Sequence, residues 1–116
     1  MSNEKELESH FKYNENMWRT WKTRGVNEDT DLKVIFNFYA SKKKYMELLR
    51  EELSQSNIPF KITPKRTFLI LKGWEVTANV TKKWTLEELQ GKTGYMYLLS
   101  KQTGVYYEGC GAFMPN

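Results

Sequence analysis

The chain is 116 residues long, a length that supports one hydrophobic core and leaves too little for two. With 40% hydrophobic and 28% charged residues the composition is globular, which excludes the disordered, collagenous and membrane-spanning classes. The net charge of +4 is uneven: residues 1–31 hold five bases and seven acids, whereas residues 32–116 hold thirteen bases and seven acids.

The first element expected is a helix. Leu7, Phe11, Asn14, Trp18 and Trp21 recur at spacings of four, three, four and three, which places them in one stripe that ends near Gly25, with Asn14 interrupting its apolar character. Residues 1–25 are therefore read as an N-terminal amphipathic helix and residues 26–116 as the α+β domain it accompanies. After a polar loop over residues 26–31, Leu32, Val34, Phe36 and Phe38 alternate along a first strand. Ser41 is a candidate N-cap for a second helix with Tyr45, Leu48, Leu49 and Leu53 on its apolar face, stopping at Asn57.

Ile58 to Ile62 opens a second strand, and Pro59 and Pro64, which lack ladder donors, place it at a sheet edge. Phe68 to Leu71 can extend this strand or the next. Beyond Lys72 and Gly73, Trp74, Val76, Ala78 and Val80 alternate with Glu75, Thr77, Asn79 and Thr81, the pattern of a strand with one buried face. Thr85 and Glu88 have the spacing of a capping box, and the helix they open runs through Leu89, Met96 and Leu99 to Gly104. Gly91 and Gly94 each weaken that helix by about 1 kcal/mol relative to Ala, which suggests a close approach to the sheet. Val105 to Met114 closes the chain as a strand, with Gly109 and Gly111 marking a bulge or a tight backbone contact.

After the first helix the order is strand, helix, strand, strand, helix, strand. Two right-handed crossovers joined by a hairpin predict a ferredoxin-like βαββαβ unit, a four-stranded antiparallel sheet with two helices on one face. The other face is open unless the N-terminal helix or a partner covers it.

Leu32 to Met114 resembles the family of the regulator of ribonuclease E activity B. The likeness rests on the first strand ending in Phe38-Tyr39, on Trp74-Glu75-Val76-Thr77-Ala78, and on the terminal Tyr107, Glu108, Gly109, Cys110 and Gly111. Family members typically read Tyr-Asp-Gly-Trp-Gly at that terminal segment, so Tyr107, Gly109 and Gly111 match, Glu108 is conservative, and Cys110 replaces a Trp. The resemblance implies a non-catalytic bacterial protein that regulates a ribonuclease by binding it. The well-known inhibitors of the family are acidic, whereas this chain is basic.

The chemistry-bearing residues agree with a binding role. Cys110 is the only cysteine and His10 the only histidine, so neither a disulfide nor a His/Cys metal cluster is expected, and no cofactor is implied. Glu87 and Glu88 are adjacent on a helix and diverge by about 100°, a poor geometry for two carboxylates acting on one bond. Glu108 is expected to brace the final bulge or turn, and Cys110 to be a small filler.

The residues assigned to partner contact are Trp18, Trp21, Tyr39, Tyr107 and Glu108. The rival is an RNA- or polyanion-binding module using Lys61, Lys65, Arg66, Lys72, Lys82 and Lys83, with Tyr39 the one ring expected on the open face. Met1 to Glu6 has no apolar run of signal-peptide length and no segment reaches the span of a membrane helix, so the expected location is the cytoplasm, without a membrane partner.

Overall fold

A computed structural model describes residues 3–113. The elements are α1 (Asn3–Thr23), β1 (Asp31–Ala40), α2 (Lys43–Gln55), β2 (Phe60–Thr67), β3 (Ile70–Lys83), α3 (Leu86–Thr103) and β4 (Tyr106–Ala112). The four strands form one sheet in the order β2-β3-β1-β4, every neighbouring pair antiparallel. The described residues are thus α+β, with three helices and a four-stranded antiparallel sheet.

Alternation along β1 and β3 decides which side of the sheet is covered. Leu32, Val34, Phe36, Phe38 and Ala40 are buried, and opposite them Val76 and Ala78 are buried in register. Against this side lie Met46, Leu49 and Leu53 of α2 and Leu89, Met96 and Leu99 of α3. Each fully buried ring or aliphatic side chain contributes roughly 1.5–3 kcal/mol of transfer free energy, so this face holds most of the apolar stabilisation.

Trp84, in the short link before α3, is also fully buried, and its indole N–H donates to the Leu32 carbonyl at 2.9 Å. The sequence pattern gave no role to Trp84, because a residue between two elements has no periodicity to betray its burial.

The helix α1 joins the same side. Its Asn14 donates to Gln90 and Thr93 of α3, at 3.0 and 2.8 Å, and accepts from the Cys110 thiol of β4 at 3.3 Å. Asn14 interrupts the apolar stripe because three polar groups from two other elements converge on it, and a buried amide is tolerated only when so satisfied. Trp18 and Trp21 are 6% and 4% exposed and stand edge to face at 6.0 Å. The helix stops where expected: Gly25 has φ +97° and the Val26 N–H returns to the Trp21 carbonyl at 3.0 Å.

Several local expectations are corrected. Ser41 does not cap α2; Lys42 is the N-cap residue, without a side-chain cap bond, and its carbonyl accepts from Tyr45 and Met46. Met46 rather than Leu48 faces the core, since residues 46, 49 and 53 share a face and Leu48 is turned to solvent. Neither glycine of α3 approaches the sheet: a Cβ on Gly94 would meet only Phe11 of α1 at 4.0 Å, and nothing in the structure explains Gly91.

The capping box of Thr85 and Glu88, the edge position of β2 and the left-handed Asn57 are as the sequence predicts. Met114, the expected end of the last strand, lies outside the described residues.

Candidate functional site

Among the described residues all three helices lie on one side, and none of these residues covers the other side of the sheet, which is bare in that sense. It presents Lys61, Thr63 and Lys65 of β2, Glu75, Thr77, Asn79 and Thr81 of β3, Lys33, Ile35, Asn37 and Tyr39 of β1, and Tyr106 and Gly111 of β4. The β1 and β3 residues of this set from 35 to 39 and from 75 to 79 are half-buried by one another, and those toward the sheet margins are exposed.

Tyr39 is the most firmly held side chain on this face. It pairs across the sheet with Tyr106, and the two rings stack with 6.2 Å between centroids and 20° between planes. The Lys65 ammonium lies 5.5 Å from the centre of the Tyr39 ring and 3.4 Å from the Glu75 carboxylate. The Tyr39 hydroxyl donates to the Lys72 carbonyl.

Room for this ring is made by Gly73. A Cβ there would fall 2.8 Å from the Tyr39 hydroxyl oxygen and 2.5 Å from the Ala40 carbonyl oxygen, and the backbone has φ +137°. Gly73 pairs with Lys65 at a register shift between Lys65 and Arg66, so the local sequence Lys72-Gly73 makes a bulge.

A second bulge places the terminal motif. Tyr107 pairs with Phe38 and Cys110 with Phe36, both on the covered side, and the two residues between them are accommodated by a register shift at Gly109, φ +117°. Strand alternation is therefore broken within the motif. Tyr106, 63% exposed, belongs to the bare face, whereas Tyr107, 8% exposed, packs among Phe38 and His10 at 5.4 and 4.8 Å. The Glu108 carboxylate is exposed and makes no hydrogen bond or ion pair among the described residues, so it does not brace the bulge as expected. It rims a hollow of about 400 Å³ with His10, Tyr13, Asn37, Gly109 and Cys110.

The sequence-predicted contact residues therefore separate. Tyr39 and Glu108 are accessible from outside. Trp18, Trp21 and Tyr107 are core residues, and a ring with so little exposed surface stabilises its own domain and offers a partner no face.

The six bases divide as well. Lys65, Arg66 and Lys72 surround the β2–β3 hairpin, and Lys61 stands midway along the sheet opposite Thr77. Lys82 and Lys83 lie about 30 Å beyond Lys72 along β3 at ~3.3 Å per residue, where they pair with Glu88 and Asp31.

The acid–base properties suit packing rather than catalysis. Burial pushes the Cys110 thiol up, and it donates to Asn14 as a protonated filler. Burial pulls His10 down and pushes Tyr107 up, so both are neutral near pH 7. Glu6 is held below the usual carboxylate range by the Tyr97 hydroxyl, at 2.9 Å, in a link that ties α1 to α3. Among the described residues no three His, Cys, Asp or Glu side chains gather as a metal site, and no helix is long and apolar enough to cross a membrane.

Fold and site together define a small α+β protein whose accessible, preorganised groups lie on an uncovered sheet face. Residues 12–112 match the family described as regulator of ribonuclease activity B, and the chain belongs to that family. The match extends beyond the segment that carries the resemblance in sequence and includes Asn14, Trp18 and Trp21, the residues that anchor α1. No curated protein matches the chain.

Proposed function

We propose that this protein is a non-catalytic regulator that binds a ribonuclease, in the manner of the ribonuclease E inhibitors, in the bacterial cytoplasm, and that it does so with the bare face of its sheet. The observation that carries the reading is the Tyr39–Tyr106 stack. Two rings are held outward on a rigid sheet with Lys65 over one of them, at positions where packing against this chain's own core gives no reason for them. Tyr is a residue of choice for such contacts because it presents a large amphipathic surface at small entropic cost. Glu108 borders the same surface and supplies the acidic contact that a basic partner would require.

The test is direct. Purified chain is added to the ribonuclease E of its own cell with a fluorescent RNA substrate. Cleavage slows as the chain is titrated in, and the double substitution Tyr39→Ala, Tyr106→Ala loses that effect at unchanged helix content. An unaltered cleavage rate together with no complex on a sizing column overturns the proposal.

RNA or another polyanion is the second reading, favoured by one observation: the bare face carries two stackable rings beside Lys65, with Lys61 on the same face, where the sequence offered one. Single-stranded RNA that binds in the micromolar range, weakens with salt and is lost on Lys61→Glu and Lys65→Glu would favour it over the protein partner.

We also read the architecture as a ferredoxin-like split unit to which residues 1–25 add a helix. Support comes from α2 carrying the chain from β1 past β3 to β2, and α3 carrying it from β3 past β1 to β4. The inclusion of Trp18 and Trp21 in the core of residues 26–116 supports reading all of it as one domain.

A further inference from the structure

The hairpin joining β2 to β3 has Thr67 and Ile70 as its last pair, so Phe68 and Leu69 form the turn. Both are 94% exposed, and Ile70 and Leu71 behind them are exposed too. Phe68 has φ +56°, a conformation in which hairpin turns ordinarily place Gly, Asn or Asp. A bulky ring is thus held outward at a conformational cost, with no packing among the described residues to offset it. At the neck of the hairpin stand Lys65 and Arg66 on one strand and Lys72 on the other, all exposed. The nearby acid, Glu75, is engaged by Lys65.

Shape and charge together select the occupant. Successive residues of a hairpin point to opposite sides, so four consecutive apolar residues make a tip that is apolar all round. A groove on a protein would cover one side and leave the other in water, whereas a lipid interface surrounds the tip. The basic residues stand two to three positions behind the turn, roughly 7–10 Å at the rise of a strand, which matches the depth to which apolar groups enter the headgroup–acyl boundary.

We propose that this hairpin docks the protein on an anionic membrane surface, with Phe68, Leu69 and Ile70 entering the boundary and Lys65, Arg66 and Lys72 meeting lipid phosphates. The attachment is peripheral. It shares Lys65 with the ribonuclease-binding reading, but the tip and Arg66 and Lys72 are no part of the Tyr39–Tyr106 surface, so the substitutions below leave that surface intact.

Co-sedimentation with vesicles tests it, using phosphatidylcholine alone and phosphatidylcholine with about one third phosphatidylglycerol. The full chain sediments with the anionic vesicles, less so in high salt and with the neutral ones. The double substitution Phe68→Asp, Leu69→Asp reduces partitioning at least about tenfold, and Arg66→Glu with Lys72→Glu does so by a similar factor, since each basic residue near the surface is worth about fivefold. All four positions are exposed, and circular dichroism confirms that the variants fold.

The Tyr39→Ala, Tyr106→Ala variant sediments as the parent does, which separates this test from that of the bare face. A chain that stays in the supernatant with anionic vesicles at low salt overturns the proposal. So does binding that survives the two aspartates. Loss of ribonuclease binding on the tip substitutions, with vesicle binding intact, assigns the tip to a protein partner instead.

Discussion

The two faces of the sheet are built from alternate residues of the same strands and differ in almost every physical respect. On the covered side, Phe36, Phe38, Tyr107 and Cys110 meet three helices, and even the polar Asn14 is fully enclosed by partners. On the bare side, Tyr39 and Tyr106 stack on each other, with Lys65 over Tyr39. Adjacent tyrosines, Tyr106 and Tyr107, fall on opposite sides of this division. Residue type alone therefore says little about role in this protein. The phase of the strand, set by pairing and by two glycine bulges, decides whether a ring stabilises the fold or stays available.

That contrast breaks if equivalent rings on the two faces cost the same to remove. Phe36→Ala should lose about 3–5 kcal/mol of unfolding free energy, and Tyr106→Ala about 1 kcal/mol or less, in urea titrations followed by Trp fluorescence. Next in size, Asn14→Ala should cost about 2 kcal/mol, because it leaves Thr93 and Gln90 without their shared partner. Gly73→Ala should cost about 1–3 kcal/mol and also displace the Tyr39 ring, visible as a shift of its aromatic proton resonances, since strain and a steric clash act at one position.

The smallest effect concerns pH. Burial lowers the pKa of His10 below its ordinary 6.5, so the unfolded chain binds this proton more readily than the folded one. The stabilisation is fully present above pH 6.5 and is lost as the pH falls from there through the folded-state value. His10→Gln should flatten the melting temperature in that window, above the range in which Glu6, itself held low by Tyr97, begins to contribute.

Much of the covered face was legible in the sequence. The stripe of α1, the alternation of β1 and β3 and the Thr85–Glu88 box each depend on local spacing, and each is in place. What was not legible depends on residues far apart in the chain. Asn14 reads as a flaw in an apolar stripe until Thr93, Gln90 and Cys110 are brought to it.

Phe68-Leu69 has no glycine or asparagine to mark a turn, so Phe68 to Leu71 reads as an extension of either strand, whereas Gly73 makes room for Tyr39. The bulge at Gly109 moved Tyr107 inward and left Tyr106 as the stacking partner. Its signal was the two glycines, but the phase they impose follows only from pairing with β1. The six bases read as continuous in sequence and are spread along the length of β3, from Lys72 at the hairpin past Lys61 opposite Thr77 to Lys82 and Lys83.

The central claim is that the bare face, and not the helical layer, meets the ribonuclease. Amide hydrogen exchange of this chain, alone and with saturating ribonuclease E, tests it most directly. The account predicts new protection in β1, β4 and the middle of β3, around Tyr39, Tyr106 and Thr77, with α1 and α2 unchanged. Protection confined to the helices, or none at all under conditions where a complex forms, would contradict it.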